Sequence, residues 1–399
     1  MQRYEIITNF ARMAKKSLPR GEGFREGATS IIFLCVGHYM AYGNSIEALS
    51  VVFTVGVVAG TMVSAGAAGA MSALLLPLLA LPLLFREKLR VAPEKLAIGL
   101  MLLTFLLLGI FCAAARSIPW VEEPGAFQLW ADGAAQALRS RIDALPFRAD
   151  STAPLLKAFL TADRSGLDAA TVGIFRSSGA SHLLALSGLH MGIIYLLLDK
   201  LTQPWGHSQT AAVLRFILFG LGGGFFTLMT GASPSIVRAY LFILIGELLR
   251  VSGRPRKASR VLCLALLVQL VLDPGAIRTV GFQLSYLAMA GIFFLYPILE
   301  SWYPDGSAYN PLRSIWKAAA LAISCQLFTG PVAWLRFHTF PRHFILTNLM
   351  AIPVTTGLLT SAVASLLLDA IGLCPPLLIK ITDSLSCLLL WMLEIISSM

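Results

Sequence analysis

The chain has 399 residues, 57% of them hydrophobic and only 13% charged, with a formal net charge of +10. Soluble domains carry about 25% charged residues, so a water-soluble globular protein is excluded and a multi-span membrane protein fits. The excess of Lys and Arg is first a matter of topology, because basic residues collect on the cytoplasmic side of membrane proteins.

In chain order, the basic start "MQRYEIITNFARMAKK" sets Tyr4, Ile7, Phe10 and Ala14 at helical spacing and could lie on an anionic membrane surface. No cleavable signal peptide is visible, since the first apolar run begins near Gly27. Uncharged runs then mark candidate spans at Gly27 to Ile46, Ala48 to Phe85, Leu96 to Ala115, Ser177 to Leu198, Phe216 to Val237, Thr279 to Leu299, Ala318 to Leu335 and Phe344 to Leu368. The second of these has 38 residues, enough for two short helices broken near Gly66 to Gly69. Shorter or charge-interrupted segments at Ala239 to Gly246, Val261 to Leu272 and around Lys380, Asp383 and Glu394 add to them. The expected fold is an all-α polytopic bundle with roughly nine to eleven membrane segments, some short or re-entrant.

The basic loops at the N-terminus, at Arg86 to Lys95 and at Arg250 to Arg260 all belong on the cytoplasmic side. That requires an even number of crossings before Arg86, whereas the runs suggest three, so one of the first three is interfacial or re-entrant, with Gly37 to Ser45 the most polar candidate. Between Arg116 and Arg176, seven Lys and Arg balance seven Asp and Glu, which fits the outer side. There Phe127, Trp130, Ala134, Leu138, Ile142 and Leu145 recur at three and four residues, the pattern of an amphipathic helix on the membrane face or over a cavity. The expected organisation is a basic segment over 1–27, membrane helices over 28–115, an extracytoplasmic section over 116–176 and a membrane domain over 177–399. The six cysteines form no CxxC pair and border apolar runs, so they read as small packing residues rather than as a disulfide or metal framework.

Five stretches carry chemistry. "SHLLALSGLHMG", Ser181 to Gly192, places His182, Ser187 and His190 inside an uncharged run, where polar side chains turn to a bundle interior or a watery cavity rather than to lipid. In one continuous helix Ser187 and His190 would share a face, with His182 roughly 80° away from His190. Gly188 and Gly192 would allow close backbone approach, or let the helix unwind near Ser187. "TGASPSIVRAYLFILIGELLR" offers Ser233 as an N-cap, Pro234 at the first helical position and Arg238 in the second turn, a helix start suited to a phosphate or carboxylate. "DPGAIRTVGFQLSYLAMAGI" turns at Asp273 to Gly275 and then puts Gln283 and Tyr286 on one face, where a tyrosine beside an amide could stack a base. "FLTADRSGLD" sets Asp163 and Arg164 at a turn before a helix capped near Asp168. "QLFTGPVAWLRFHTFPRH" reads as a bent connection between spans. Each has a plain alternative: neighbour-to-neighbour hydrogen bonds, a snorkelling or paired Arg238, a packing Tyr286 and a solvated turn at Asp163. Phosphate-loop, paired-histidine metal and G-x-S-x-G signatures are missing, so neither ATP hydrolysis, nor a catalytic site, nor a cofactor is expected.

Taken together, "LTADRSGLD", "SGASHLLALSGLHMG", "TGASPSIVRAYLFILIGELL", "DPGAIRTVGFQLSYLAMAGI" and "NLMAIPV" resemble, in order and spacing, the membrane competence domain of the ComEC DNA-uptake channel family. The likeness covers Thr161 to about Val354 and is most specific over Ser181 to Gly192. It implies a bacterial inner-membrane channel through which single-stranded DNA enters during natural transformation, with a cytoplasmic N-terminus. The expected form is short, without the OB-fold and metallo-β-lactamase-like domains of long members. By position, Ser181, His182, Ser187, Gly188 and His190 would belong to the channel core, with Arg238 and Gln283. Residue reading and resemblance together nominate His182, Ser187, Gly188, His190, Ser233, Arg238, Gln283 and Tyr286 as channel-lining or DNA-binding, with Asp163 and Arg164 secondary. Moving a phosphate inward against an inside-negative potential costs about 2.3 kcal/mol per charge per 100 mV. A separate cytoplasmic ATP-driven translocase and a separate DNA receptor are therefore expected partners beside membrane lipid, and a homo-oligomer stays open. The rival readings are a secondary transporter of a small anionic solute and a non-transporting membrane scaffold.

Overall fold

The structure, a computed structural model, describes residues 46–62, 94–116, 125–206, 208–303, 310–338 and 343–399. The amphipathic N-terminal stretch, the polar segment Gly37 to Ser45, the break at Gly66 to Gly69 and the loop from Arg86 to Arg90 lie outside the described residues. Among the described residues every regular element is helical. The helices are α1 (Ile46–Thr61), α2 (Glu94–Arg116), α3 (Ala126–Ala144), α4 (Thr152–Thr161), α5 (Ala169–Ser177), α6 (Ser181–Leu184), α7 (Gly188–Thr202) and α8 (Gln209–Met229). They continue as α9 (Pro234–Val251), α10 (Ala258–Leu272), α11 (Val280–Phe294), α12 (Tyr296–Glu300), α13 (Pro311–Phe337), α14 (Phe344–Ala370) and α15 (Pro376–Ser398).

Four of these, α8, α13, α14 and α15, are long and apolar enough to cross a membrane. The residues 46–61, 101–114, 258–272 and 280–294 form shorter apolar helices. These four among the described residues do not confirm the expected count of nine to eleven segments. Arg238, Glu247 and Arg250 interrupt the apolar character of α9, and a break before Gly188 leaves α7 with 15 residues.

The chain divides into two compact units, residues 1–121 with 256–277, and residues 122–255 with 278–399. In the first, α1 and α2 cross at glycines. A Cβ on Gly56 would strike the Leu106 carbonyl, and one on Gly109 the Phe53 carbonyl, so the two backbones touch. Phe53, Phe105 and Phe111 fill the space beside this crossing. The Ser259 hydroxyl at the start of α10 donates to Glu47 at the start of α1, at 3.3 Å.

In the second unit, α4, α5, α7, α14 and α15 enclose a core around Leu155, Phe159, Phe175, Leu183, Ala351 and Leu358. Phe159 and Phe175 meet edge to face at 6.3 Å between ring centres. Asp383 on α15 anchors the approach to α4 from far along the chain, accepting from the Arg148 and Ala149 amides at 3.3 Å and from the Thr152 hydroxyl at 2.6 Å. α3 forms where the periodicity places it, but the stripe it buries is Ala131, Ala135 and Ile142, while Phe127 and Trp130 stay more than half exposed. That aromatic edge on an amphipathic helix suits a membrane interface. Tyr240 of α9 lies against Gly223 and Gly224 of α8, and its hydroxyl donates to the Gly220 carbonyl at 2.8 Å.

α13 corrects the reading of Gln326 to His343 as a bent connection. The helix runs unbroken through Gly330 and Pro331 to Phe337, and the chain turns only at His338, which takes a left-handed φ of 51°. Pro331 removes one rung of the helical ladder. The Thr329 hydroxyl donates to the Cys325 carbonyl at 2.8 Å, and Gly291 of α11 packs directly on the Ser324 carbonyl.

Candidate functional site

The break in "SHLLALSGLHMG" comes from local hydrogen bonding. α6 ends at Leu184, Ala185 and Ser187 are extended, and α7 starts at Gly188. Ser187 caps α7, its hydroxyl accepting from the Leu189 amide at 3.3 Å. In return the Ser187 amide donates to Nδ1 of His190 at 3.3 Å, a reciprocal capping box in which histidine stands where Glu or Gln is usual. The single crossing expected over Ser177 to Leu198 is thus two helices and a link, and the shared face computed for a continuous helix does not apply. Because Nδ1 accepts, the hydrogen of the neutral ring sits on Nε2. That atom is buried without a partner, and the ring, 3% exposed, packs edge-on to Phe159 at 5.8 Å.

Gly188 faces the other way, about 200° around the helix from His190. A Cβ there would lie 3.4 Å from Nη2 of Arg238 and 3.7 Å from Cβ of Ala239. Seven residues on, the Tyr195 hydroxyl donates to Glu247 at 2.8 Å. Gly188 beside Arg238 and Tyr195 beside Glu247 make α7 and α9 parallel. α11 follows the same direction. Ser235 donates to the Gly281 carbonyl at 3.4 Å, and Tyr286 together with Cys325 acts electrostatically on Arg238. Three helix starts therefore converge.

Their caps differ. Ser187 caps α7, and Thr279 caps α11 by accepting from the Phe282 amide at 3.3 Å. Ser233, the expected cap of α9, makes no side-chain cap, although Pro234 occupies the first helical position as expected. Its hydroxyl oxygen is buried and unpartnered. The chain reaches Ser233 through Gly231 and Ala232, both at positive φ. Arg238 is half-buried with its Nε out of solvent, and among the described residues no hydrogen bond, ion pair or carboxylate is found to act on it. Arg164 donates to the Leu184 carbonyl at 2.8 Å, and Arg215 to the carbonyls of Thr202 and Gly206, although the Nε of Arg215 and that of Arg260 are also buried without a hydrogen bond among the described residues.

Of the nominated residues, Ser187, Gly188, Ser233, Arg238 and Tyr286 belong to this junction. Gln283 lies one turn nearer the start of α11 than Tyr286. His190 reaches the junction only through Ser187. His182 is exposed on α6, its Nδ1 3.2 Å from the Gly179 carbonyl. Asp163 and Arg164 act as local ties. Asp163 accepts from the Ser165 hydroxyl and amide and pairs with Arg139 at 3.4 Å. The Ser165 hydrogen bonds, helped by Arg139, hold its carboxyl below the usual carboxylate range.

Sequence reasoning missed the opposite end of the α7–α9 pair. Glu247, 1% exposed, takes the Tyr195 hydrogen bond and pairs with Arg250 at 3.1 Å. It borders a small cleft with Tyr195, Asp199, Thr202 and Arg215. Its signal was available, since an acid inside an apolar helix needs a partner, and Tyr195 lies in a neighbouring run. Among the described residues no group of three His, Cys, Asp or Glu could hold a metal ion.

Comparison with known proteins gives the context. Residues 159–399 match the family model described as Competence protein. The chain is 30% identical to ComE operon protein 3 of Bacillus subtilis over 224 residues, which is 55% of this chain and 27% of that protein. It is 29% identical over 189 residues to the uncharacterized protein YcaI of Escherichia coli, covering 46% of this chain and 24% of that one. It is 26% identical over 214 residues to Recombination protein 2 of Haemophilus influenzae, covering 51% and 27%. The chain thus matches about a quarter of the length of these curated relatives. No solved structure matches.

Proposed function

Since the chain belongs to the Competence protein family, we propose that it serves DNA uptake as a membrane channel for single-stranded DNA, with the meeting point of α7, α9 and α11 on the strand's path. The observation that carries this reading is Arg238, a guanidinium beside the broken helix start at Gly188 that has no hydrogen bond or ion pair among the described residues. A cation inside a bilayer is retained against a cost of about 2.5–3.5 kcal/mol even on the mildest scale, and polar groups at that depth border watery cavities.

Orientation follows from charge. Arg250, Arg254, Arg256 and Lys257 gather at and beyond the end of α9, which assigns that end to the cytoplasm and the three converging starts to the outer side of a bacterial inner membrane. The Lys and Arg of the N-terminal segment support a cytoplasmic N-terminus by the same rule. Helix starts carry roughly half a positive charge each, so an incoming polyanion meets a favourable field. Inward motion still opposes the membrane potential, and a separate cytoplasmic ATP-driven translocase and a separate receptor complete the system.

The test is a transformation assay in a naturally transformable host whose own copy is deleted, complemented with this chain or with Arg238→Ala at matched membrane levels. The proposal expects transformants with the former and at least a tenfold loss with the latter. Saturable uptake of a compact anion without transformants favours the small-solute transporter instead.

A further inference from the structure

Resting on the DNA-channel reading, the geometry points to a subsite for one backbone phosphate between the first turn of α9 and the start of α7, clamped by the Arg238 guanidinium and the Ser233 hydroxyl. Three observations combine. α9 is the one helix of the three whose N-cap residue makes no side-chain cap, so its first-turn amides lack the acceptor that Ser187 and Thr279 give α7 and α11. An anion is what such a start binds. Ser233 Oγ, at that start, and Arg238 Nε, one turn along, are both buried polar atoms without partners. Buried polar groups in native proteins are otherwise almost always paired, and a phosphate oxygen would complete both. Finally, Gly188 leaves room beside Nη2: a side chain there would meet the guanidinium at 3.4 Å from its first carbon.

The chemistry selects phosphate over a base. The groups that converge are donors and positive ends, the guanidinium fork matches two oxygens of one phosphate, and no carboxylate acts on Arg238 to compete. Recognition through phosphate carries no sequence information, which suits a conduit that passes any sequence.

The experiment uses the full chain in lipid nanodiscs with a short oligothymidylate, a peptide nucleic acid of the same base order, and inorganic phosphate as probes. Wild type is expected to bind oligothymidylate, to bind the uncharged peptide nucleic acid at least tenfold more weakly, and to lose oligothymidylate to inorganic phosphate. Arg238→Ala is expected to weaken oligothymidylate at least tenfold and to reduce the slope of log affinity against log salt by about 0.7, the share of one phosphate contact on a single strand. Arg238→Lys keeps the charge without the fork, so it should retain the slope with weakened affinity. This separates loss of the contact from loss of the fold, which the melting temperature of each variant also monitors. Equal oligothymidylate affinity and slope in wild type and Arg238→Ala would overturn the subsite while leaving the DNA-channel reading intact. Arg238-dependent binding of inorganic phosphate without any binding of oligothymidylate would support the subsite and remove the DNA reading.

Discussion

Replacing His190 separates a positioning role from a lining role. In His190→Ala the buried Ser187 amide loses its acceptor, which costs about 1–3 kcal/mol. The edge-to-face contact with Phe159 goes too, worth about 0.5–1.5 kcal/mol beyond area. Deleting the unpartnered Nε2 works the other way and returns part of its desolvation penalty. The balance is a loss of about 2 kcal/mol, or roughly 4–8 °C in melting temperature for a domain of this size. His190→Gln restores an acceptor of the kind normal in a capping box, so it should recover most of that loss. Thermal unfolding in detergent, followed by tryptophan fluorescence, reads both variants. An unchanged melting temperature for His190→Ala, or a His190→Gln variant no better than alanine, would refute this reasoning and return His190 to the wall of the passage.

Three further outcomes follow from the packing. Gly291→Val should lower stability by about 1–3 kcal/mol, because any Cβ at Gly291 meets the Ser324 carbonyl of α13; a melting curve superimposable on wild type would contradict the close approach. Tyr195→Phe removes the hydroxyl donor to buried Glu247 and should cost about 1.5–3 kcal/mol, whereas a neutral result in the same assay would mean that Arg250 alone satisfies the acid. Asp163 titrates below its unfolded value, so its stabilisation is complete above the ordinary carboxylate range and is lost as pH falls through the lowered native value. An Asp163→Asn variant should therefore be less stable than wild type at neutral pH and converge with it in acid; a gap that persists there would contradict the assignment.

Much of the site was legible in the sequence because its local chemistry is self-contained. Gly188 and Gly192 admit an unwound point near Ser187 as one of two readings, and Ser233, Pro234 and Arg238 announce a helix start with a cation in its second turn. Where tertiary context decides, the sequence misleads. The face taken by His190 depends on where the helix restarts: one continuous helix would aim it with Ser187, whereas a start at Gly188 turns the ring toward Phe159. Pro331 looks like a break, yet α13 continues through it, packed at Ser324 against Gly291 of α11. Ser233 has the composition of a cap, yet its side chain accepts from no amide in the first turn of α9. Glu247 escaped notice because its partner Tyr195 is 52 residues away.

The most direct measurement is the chemical accessibility of Ser233→Cys in a chain whose native cysteines are replaced, with Leu221→Cys, 71% exposed on apolar α8, as the lipid-facing control. A membrane-impermeant thiol reagent added from outside should modify position 233, single-stranded DNA should slow that reaction, and position 221 should stay unmodified. Lack of reaction at 233, or a rate indifferent to DNA, would contradict a water-filled path for the strand at the junction of α7, α9 and α11.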